Sequence, residues 1–141
     1  MKTVLFICMS NSRRSQMAEL IFNKLSESHS AMSAGIDPQG GNWKVDPNVY
    51  IALKEIGIEA KNLEAKKLTD EMLEKADKII TFMCADKLPA KYQSKVEDWQ
   101  LGVKRNIGEK QSERTLDEIR KMRDLIYEKI KQFVQQLKNE K

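Results

Sequence analysis

The chain has 141 residues, of which 40% are hydrophobic and 33% are charged, and its net charge is +4. This length predicts one domain with a packed core over residues 1–141, and no apolar run approaches the roughly 20 residues that cross a bilayer. The mild positive charge favours anionic ligands, but aromatic residues make up only 6% and no nucleic-acid reader motif is present, which argues against nucleic-acid binding.

The start of the chain, residues 1–8, is too short for a secretory signal and lacks a small-residue cleavage site, so we expect a cytoplasmic protein. Two cysteines far apart in sequence, Cys8 and Cys84, do not make the disulfide framework of a small secreted protein. His29 is the single histidine and no Cys-x2-Cys pair is present, so we expect no metal site.

The first half of the chain alternates between strand and helix patterns. Lys2–Cys8 is a nearly continuous apolar run and predicts a strand that is buried on both faces of a parallel sheet. From Arg14 the apolar residues recur at helical spacing, which predicts a helix that ends near Ser26. Ala31–Gly35 reads as a short second strand. A loop follows, with Pro38, Gly40, Gly41 and Trp43.

The middle of the chain carries clear helix-start signals. Asp46 is a predicted N-cap with Pro47 at the first helical position, and this helix stops at Gly57. Asn62–Leu68 is predicted to hold a short strand, and Thr69 is the predicted cap of the next helix.

The last part of the chain contains two strand patterns and a long helix. Lys78–Met83 is a second buried-strand run that leads into Cys84, and Val96–Leu101 is a weaker strand pattern. The segment 113–137 is one long amphipathic helix. Strands and helices alternate throughout, which predicts a single α/β domain with a parallel sheet and helices on both faces.

Both cysteines lie where a predicted strand ends. In open parallel sheets, ligands bind beyond the carboxyl ends of the strands. We therefore expect Cys8 and Cys84 to share one site.

The segment from Cys8 to Ser15 has the residue types of an anion site. Loop amides at a helix N-terminus attract an anion and favour the thiolate form of Cys8. Arg14 offers its planar fork to two oxygens of a tetrahedral anion, and Ser15 can donate its hydroxyl to the thiolate. Asn11 is a residue type that tolerates left-handed backbone.

The spacing Cys-x5-Arg is weak evidence by itself, because it also arises by chance. The alternative is a buried cysteine at the end of a strand, followed by solvated arginines. The strand before Cys8, the helix after it and the hydroxyl beside Arg14 favour the anion site.

The stretch CMSNSRRSQMAEL, residues 8–20, resembles the phosphate loop of the low-molecular-weight protein tyrosine phosphatase superfamily. Within it, SQMAE is more similar to the thioredoxin-linked arsenate reductases than to the tyrosine phosphatases. The resemblance continues through Ser33–Gly35, VDPNVYIALKEIGI, Lys66–Cys84, Asp98-Trp99 and Arg123-Asp124. It implies a three-layer sandwich around a four-stranded parallel sheet of order 2-1-3-4.

The resemblance also implies roles for the site residues. Cys8 is the nucleophile, and Arg14 with the loop amides holds the oxyanion. Cys84 matches the cysteine that attacks the arseno-cysteine adduct, releases arsenite and leaves a disulfide; the alternative is that it is a small core residue. The expected substrate-binding residues are Met9, Ser10, Asn11, Ser12, Arg13 and Ser15.

The sequence departs from the reductase pattern at three places. The segment 85–95 lacks the second resolving cysteine, so a Cys8–Cys84 disulfide would be reduced directly by thioredoxin, glutaredoxin or a small thiol. Arg13 stands where many relatives have a cysteine. The expected general-acid Asp falls near Val103–Lys104, where no carboxylate stands, and Glu97 or Asp98 is the possible substitute.

Three functions stay open from the sequence. The first is an arsenate reductase without a bound cofactor, served by an external thiol reductant. The second is a low-molecular-weight protein tyrosine phosphatase that acts through a phosphocysteine on a phosphoprotein. The third is a catalytically weak module that binds an oxyanion, arsenate or phosphate, or a phosphoprotein. In each case we expect a monomer that does not associate with membranes.

Overall fold

A computed structural model of the chain describes residues 1–37, 44–101 and 114–140. Within these residues it contains four strands and four α-helices. In chain order they are β1 (Thr3–Cys8), α1 (Arg14–Leu25), β2 (Ser30–Gly35), α2 (Pro47–Glu55), α3 (Asp70–Lys75), β3 (Lys78–Thr81), β4 (Val96–Asp98) and α4 (Leu116–Asn139). Two short 3-10 segments, Ala85–Lys87 and Ala90–Lys95, connect β3 to β4. None of the helices is long and apolar enough to cross a bilayer.

The four strands form one parallel sheet in the order β2-β1-β3-β4, which confirms the predicted order. β1 pairs with β2 from Thr3 to Cys8, and the final pair is Cys8 with Gly35. On its other side β1 pairs with β3, and β3 pairs with β4. Because parallel strands end at the same edge, the segments that follow β1 and β3 lie side by side.

Successive side chains of β1 point to opposite faces of the sheet. Val4, Phe6 and Cys8 pack in a core cluster with α1, α2 and α4. Leu5 and Ile7 pack in a second cluster with residues of α3 and the 3-10 segments. Helices therefore cover both faces, which confirms the three-layer arrangement.

Aromatic rings pack against one another at the centre of the larger core cluster, the one that contains Phe6. Neighbouring rings have centroids between 5.5 and 6.4 Å apart, a spacing at which aromatic pairs add to the free energy gained by burial. The rings are those of Phe6, Phe22, Phe82, Trp99 and Phe133.

The helix ends follow the predicted capping chemistry. Asp46 accepts a hydrogen bond from the amide of Asn48, with Pro47 next to it, and Thr69 accepts from the amide of Met72. Gly57 follows α2 with a φ of 82°, in the left-handed region that glycine adopts easily.

Three strand predictions are wrong in their extent. The predicted strand Asn62–Leu68 is absent except for a single bridge between Lys67 and Gly35. Asn62 has a φ of 53°, which breaks an extended path. β3 and β4 end at Thr81 and Asp98, before the predicted ends at Met83 and Leu101.

Some predicted features lie outside the described residues. They are the loop with Pro38, Gly40, Gly41 and Trp43, the first residue of the predicted helix 113–137, and the position Val103–Lys104.

Candidate active site

Cys8 ends β1 with its sulfur beside the start of α1. Its side chain is 2% exposed, and residues 9–13 form the Cys8–Arg14 loop between the strand and the helix. The amide of Asn11 donates to Cys8 Sγ at 3.2 Å, and Ser15 Oγ lies 2.9 Å from the same sulfur. Donors directed at a sulfur favour its thiolate form, so this arrangement suits a nucleophilic cysteine.

Asn11 holds the loop together from inside. It is fully buried and its φ is 55°, the left-handed conformation that its residue type tolerates. Its Nδ2 donates to Ser15 Oγ at 2.7 Å and to Ser33 Oγ at 3.0 Å. The loop is thereby connected to both α1 and β2.

β2 passes very close to the loop, and glycine makes this possible. A Cβ on Gly35 would lie 2.8 Å from the carbonyl carbon of Ser10 and 2.9 Å from the amide nitrogen of Asn11. Beyond it, the amide of Ile36 donates to the Cys8 carbonyl and that of Asp37 to the Met9 carbonyl. Residue-by-residue reasoning missed Ser33 and Gly35; their signal is the small-residue ending of β2, SAG.

Arg14 is anchored along one edge of its guanidinium. Nη1 donates to the carbonyl oxygens of Phe82 and Leu101, each at 3.4 Å, and lies 3.8 Å from Met83 Sδ. The opposite edge, Nε and Nη2, has the planar geometry that binds two oxygens of a tetrahedral anion.

The remaining loop residues have partners within the protein. Arg13 Nε donates to Asp46 Oδ2 at 2.7 Å, and both side chains are only 11% exposed. The positive charge of Arg13, which stands where many relatives have a cysteine, is therefore matched by a carboxylate. Ser10 and Ser12 hydroxyls lie 2.7 Å apart, and the Met9 side chain packs against the cluster on the α3 face.

Cys84 lies at the same edge of the sheet as Cys8 but packs on the opposite face. Its thiol is 1% exposed and donates to the carbonyl of Ile7 at 3.6 Å. Burial, followed by negative charge on Cys8, raises the pKa of this thiol to about 12. Although Cys84 follows a strand at the edge where ligands bind, its thiol is not accessible in this conformation.

The two carboxylates considered as a substitute general acid are already hydrogen-bonded. Glu97 accepts from the indole N–H of Trp99. Asp98 accepts from the Thr81 hydroxyl and from Gln100 Nε2. Over the described ranges, no three His, Cys, Asp or Glu side chains group closely enough to hold a metal ion.

Curated relatives of the chain are named arsenate reductases. The arsenate reductase of Brevibacillus brevis is 41% identical over 81 residues, which make up 57% of this chain and 58% of that protein. The chain thus matches less than two thirds of that relative's length. Arsenate reductase 2 of Staphylococcus saprophyticus is 34% identical over 139 residues, covering 94% of this chain and 95% of that protein.

A solved structure of a phosphatase is also similar. A mutant of the YwlE arginine phosphatase with a phosphorylated active-site serine superposes with a TM-score of 0.80 at 26% identity, covering 99% of this chain and 97% of the other. The profile of the low molecular weight phosphotyrosine protein phosphatase family matches residues 3–141. The chain therefore belongs to the low molecular weight phosphotyrosine protein phosphatase family.

Proposed function

We propose that this protein is a thiol-dependent arsenate reductase in which Cys8 is the nucleophile. The observation that carries this proposal is the surroundings of the Cys8 sulfur: the amide of Asn11 donates to it, and the hydroxyl of Ser15, the residue after Arg14, lies 2.9 Å from it. The similarity to arsenate reductase 2 of Staphylococcus saprophyticus over 94% of the chain supports arsenate as the oxyanion.

In the first step the Cys8 thiolate attacks the arsenic atom of arsenate. A sulfur–arsenic bond forms, one arsenate oxygen takes up a proton and departs as water, and arsenic stays in the +5 state. The free edge of Arg14 and the amides of the Cys8–Arg14 loop bind the remaining oxygens, which stabilises the charge that develops on them.

In the second step Cys84 loses its proton to solvent and attacks Cys8 Sγ. The sulfur–sulfur bond forms as the sulfur–arsenic bond breaks, and the bonding electron pair leaves with arsenic as arsenite. Two thiols are oxidised to a disulfide while As(V) becomes As(III). Thioredoxin, glutaredoxin or a small thiol then reduces the disulfide by thiol exchange, with no bound cofactor.

This second step requires Cys84 to move. Its thiol is packed under the sheet edge, hydrogen-bonded to Ile7, with its pKa raised to about 12. The segment 82–84 must therefore leave its position before the sulfur can become a thiolate and reach Cys8. We expect this opening to limit the rate of arsenite release.

The burial of Cys84 favours the second candidate, a phosphatase that acts through a Cys8 phosphocysteine. Hydrolysis needs only Cys8: the thiolate attacks phosphorus, the leaving group departs with a proton, and water cleaves the phosphocysteine. The likeness to the YwlE arginine phosphatase supports this reaction class. The third candidate, an oxyanion-binding module, needs only the Cys8–Arg14 loop and Arg14.

One comparison separates these functions. Purified wild type, Cys8→Ser and Cys84→Ser are assayed for arsenate-dependent consumption of a thiol reductant and for hydrolysis of an aryl phosphate. Loss of arsenate reduction in both variants supports the reductase. Aryl phosphate hydrolysis that survives in Cys84→Ser also shows that this variant keeps an intact Cys8 site.

The opposite results are equally clear. Hydrolysis that depends on Cys8, without arsenate reduction in the wild type, supports the phosphatase and contradicts the reductase. Arsenate binding measured by calorimetry without either turnover supports the binding module.

A further inference from the structure

Gln16, the third residue of α1, is a buried polar side chain with no part in the steps above. It is 1% exposed, and its Nε2 donates to Asn11 Oδ1 at 2.9 Å and to the Glu64 carbonyl at 2.8 Å. Its Oε1 has no hydrogen-bond partner in the described part of the chain. A buried acceptor without a partner is unfavourable, so the hydrogen bonds that stabilise this side chain in place are those of its amide nitrogen.

The orientation of this amide is determined by its surroundings. Both partners of Nε2 are acceptors, a side-chain oxygen and a backbone carbonyl oxygen. Rotating the amide by half a turn would place Oε1 against these two oxygens and leave no hydrogen between them. Gln16 therefore presents a donor to Asn11.

That donor and a backbone amide together fix the orientation of the Asn11 amide. Asn11 Oδ1 accepts from Gln16 and from the backbone amide of Lys66 at 2.8 Å. Its Nδ2 must then face the hydroxyls of Ser15 and Ser33. Ser33 can accept there because it donates its own hydrogen to Glu19 at 2.7 Å.

The direction of the last hydrogen bond follows. Ser15 Oγ accepts from Asn11 Nδ2 and lies 2.9 Å from Cys8 Sγ, and because a thiolate carries no hydrogen, the Ser15 hydroxyl is the donor when Cys8 is ionised. We propose that Gln16 is a positioning residue for Cys8: it orients the Asn11 amide so that Ser15 donates to the sulfur. This inference rests on the proposed role of Cys8 as the nucleophile and holds for either reaction of Cys8.

The test measures Cys8 without any substrate. The rate of its alkylation by iodoacetamide is followed by peptide mass, which separates Cys8 from Cys84, and its thiolate is followed by ultraviolet absorbance against Cys8→Ser. Gln16→Met removes both donors at nearly constant length. We expect alkylation about tenfold slower and a smaller thiolate absorbance, because the charged sulfur loses a donor.

A matched control comes from Gln93, whose Nε2 likewise donates to two acceptors, here the backbone carbonyls of Ala85 and Leu88. Gln93→Met should alkylate at the wild-type rate. Gln16→Glu is the second variant if Gln16→Met does not fold. It keeps the side-chain shape but supplies at most one donor, and we expect slower alkylation from it as well.

A double variant tests whether Gln16 acts through Ser15. Ser15→Ala should slow alkylation, and adding Gln16→Met should slow it no further, because the same chain of hydrogen bonds is already broken. Fully additive effects, or wild-type alkylation in Gln16→Met, would overturn the proposal. If wild-type Cys8 reacts no faster than a free cysteine, the role of Cys8 as nucleophile fails instead.

Discussion

Gly35 is the residue at which β2 comes closest to the Cys8–Arg14 loop. The atoms that a Cβ would meet, at 2.8 and 2.9 Å, belong to the backbone of Ser10 and Asn11 and cannot rotate away. Gly35→Ala should therefore displace the loop, lower the free energy of unfolding by about 1–3 kcal/mol and weaken phosphate binding. Urea unfolding and calorimetric titration with phosphate measure the two effects.

Gly57→Ala is the matched control. Gly57 also needs glycine, because its φ is 82°, but the nearest atom to its Cβ is Lys24 Nζ at 3.7 Å, away from the loop. This variant should lose stability through backbone strain and bind phosphate as the wild type does. Equal phosphate binding by both variants would contradict the role given to Gly35.

Cys84 predicts a specific dependence of stability on pH. Its thiol titrates near 9.0 when exposed and at about 12 in the folded protein, because burial disfavours the thiolate. Between these values the folded chain holds a proton that the unfolded chain has released. The free energy of unfolding should therefore fall as pH rises from 9 to 12, by up to about 1.4 kcal/mol per pH unit from this group.

Lysines and tyrosines titrate in the same pH range, so the contribution of Cys84 is measured as a difference in unfolding free energy between two variants. Urea unfolding of wild type and of Cys84→Ala is compared at a series of pH values from 9 upward. The free energy of unfolding of the wild type minus that of Cys84→Ala should decrease as pH rises. A constant difference would show that folding does not raise the pKa of this thiol.

Residue chemistry was predictable around Cys8 but not around Cys84. The types and spacing of Cys8, Asn11, Arg14 and Ser15 already indicated an anion site, since an anion loop uses consecutive residues. The side on which Cys84 packs depends on the backbone turn before it, where Met83 has a φ of 64°. No local pattern in the sequence marks that turn.

At the scale of elements, the start of α2 is joined to the Cys8–Arg14 loop through Asp46. One carboxylate oxygen caps the helix by accepting from Asn48, and the other accepts from Arg13 at 2.7 Å. The Asp46 amide also donates to the Ser12 carbonyl. The position of α2 and the conformation of the loop are therefore coupled.

Two substitutions separate the cap from the charge. Asp46→Asn keeps a capping oxygen and loses the ion pair, so the unfolding free energy should change little while phosphate affinity falls. Asp46→Ala loses both, and we expect a further loss of about 1 kcal/mol in urea unfolding. Unchanged phosphate binding in both variants would show that Arg13 does not need Asp46 in order to shape the loop.

Element prediction succeeded where local chemistry decides the outcome. Asp46, Pro47 and Thr69 mark helix starts that the structure confirms. The start of α4 was placed two residues before its actual cap, Thr115, which forms a reciprocal capping box with Glu118. The predicted strand Asn62–Leu68 failed because strand formation needs a partner along its length, and only Lys67 has one.

At the scale of the whole molecule, α4 is held at both ends by a carboxylate shared between two cations. Glu55 on α2 pairs with Arg120 and Arg123 near the start of α4. Glu140, directly after α4, pairs with Lys2 and Lys78 at the start of β1 and β3. Hydrogen bonds from these cations lower the pKa of each carboxyl to about 2.

This arrangement predicts the acid sensitivity of the fold. Both pKa values lie below the ordinary value of 4.5. Between about pH 2 and pH 4.5 the folded state therefore binds fewer protons than the unfolded state. The stabilisation that the ionised Glu55 and Glu140 carboxylates give to the fold is complete above pH 4.5 and is lost as pH falls towards 2. Thermal unfolding of Glu55→Gln/Glu140→Gln should show a shallower fall in Tm over this range than the wild type; an identical slope would exclude these two groups as its cause.

The overall architecture was largely predictable. Alternating strand and helix patterns indicated a parallel sheet with helices on both faces, because parallel strands need crossover connections. The strand order came from the resemblance to the phosphatase superfamily rather than from the patterns.

The packing of Cys84 against the Ile7 carbonyl has a consequence for the resistance of the protein to oxidation by air. Both sulfurs are almost fully covered, and the Cys84 thiol keeps its proton at any physiological pH. A disulfide between Cys8 and Cys84 therefore cannot form until the segment 82–84 opens, much as an amide exchanges with deuterium only when it opens. The rate at which a disulfide forms in the absence of substrate should then report how often the segment 82–84 opens.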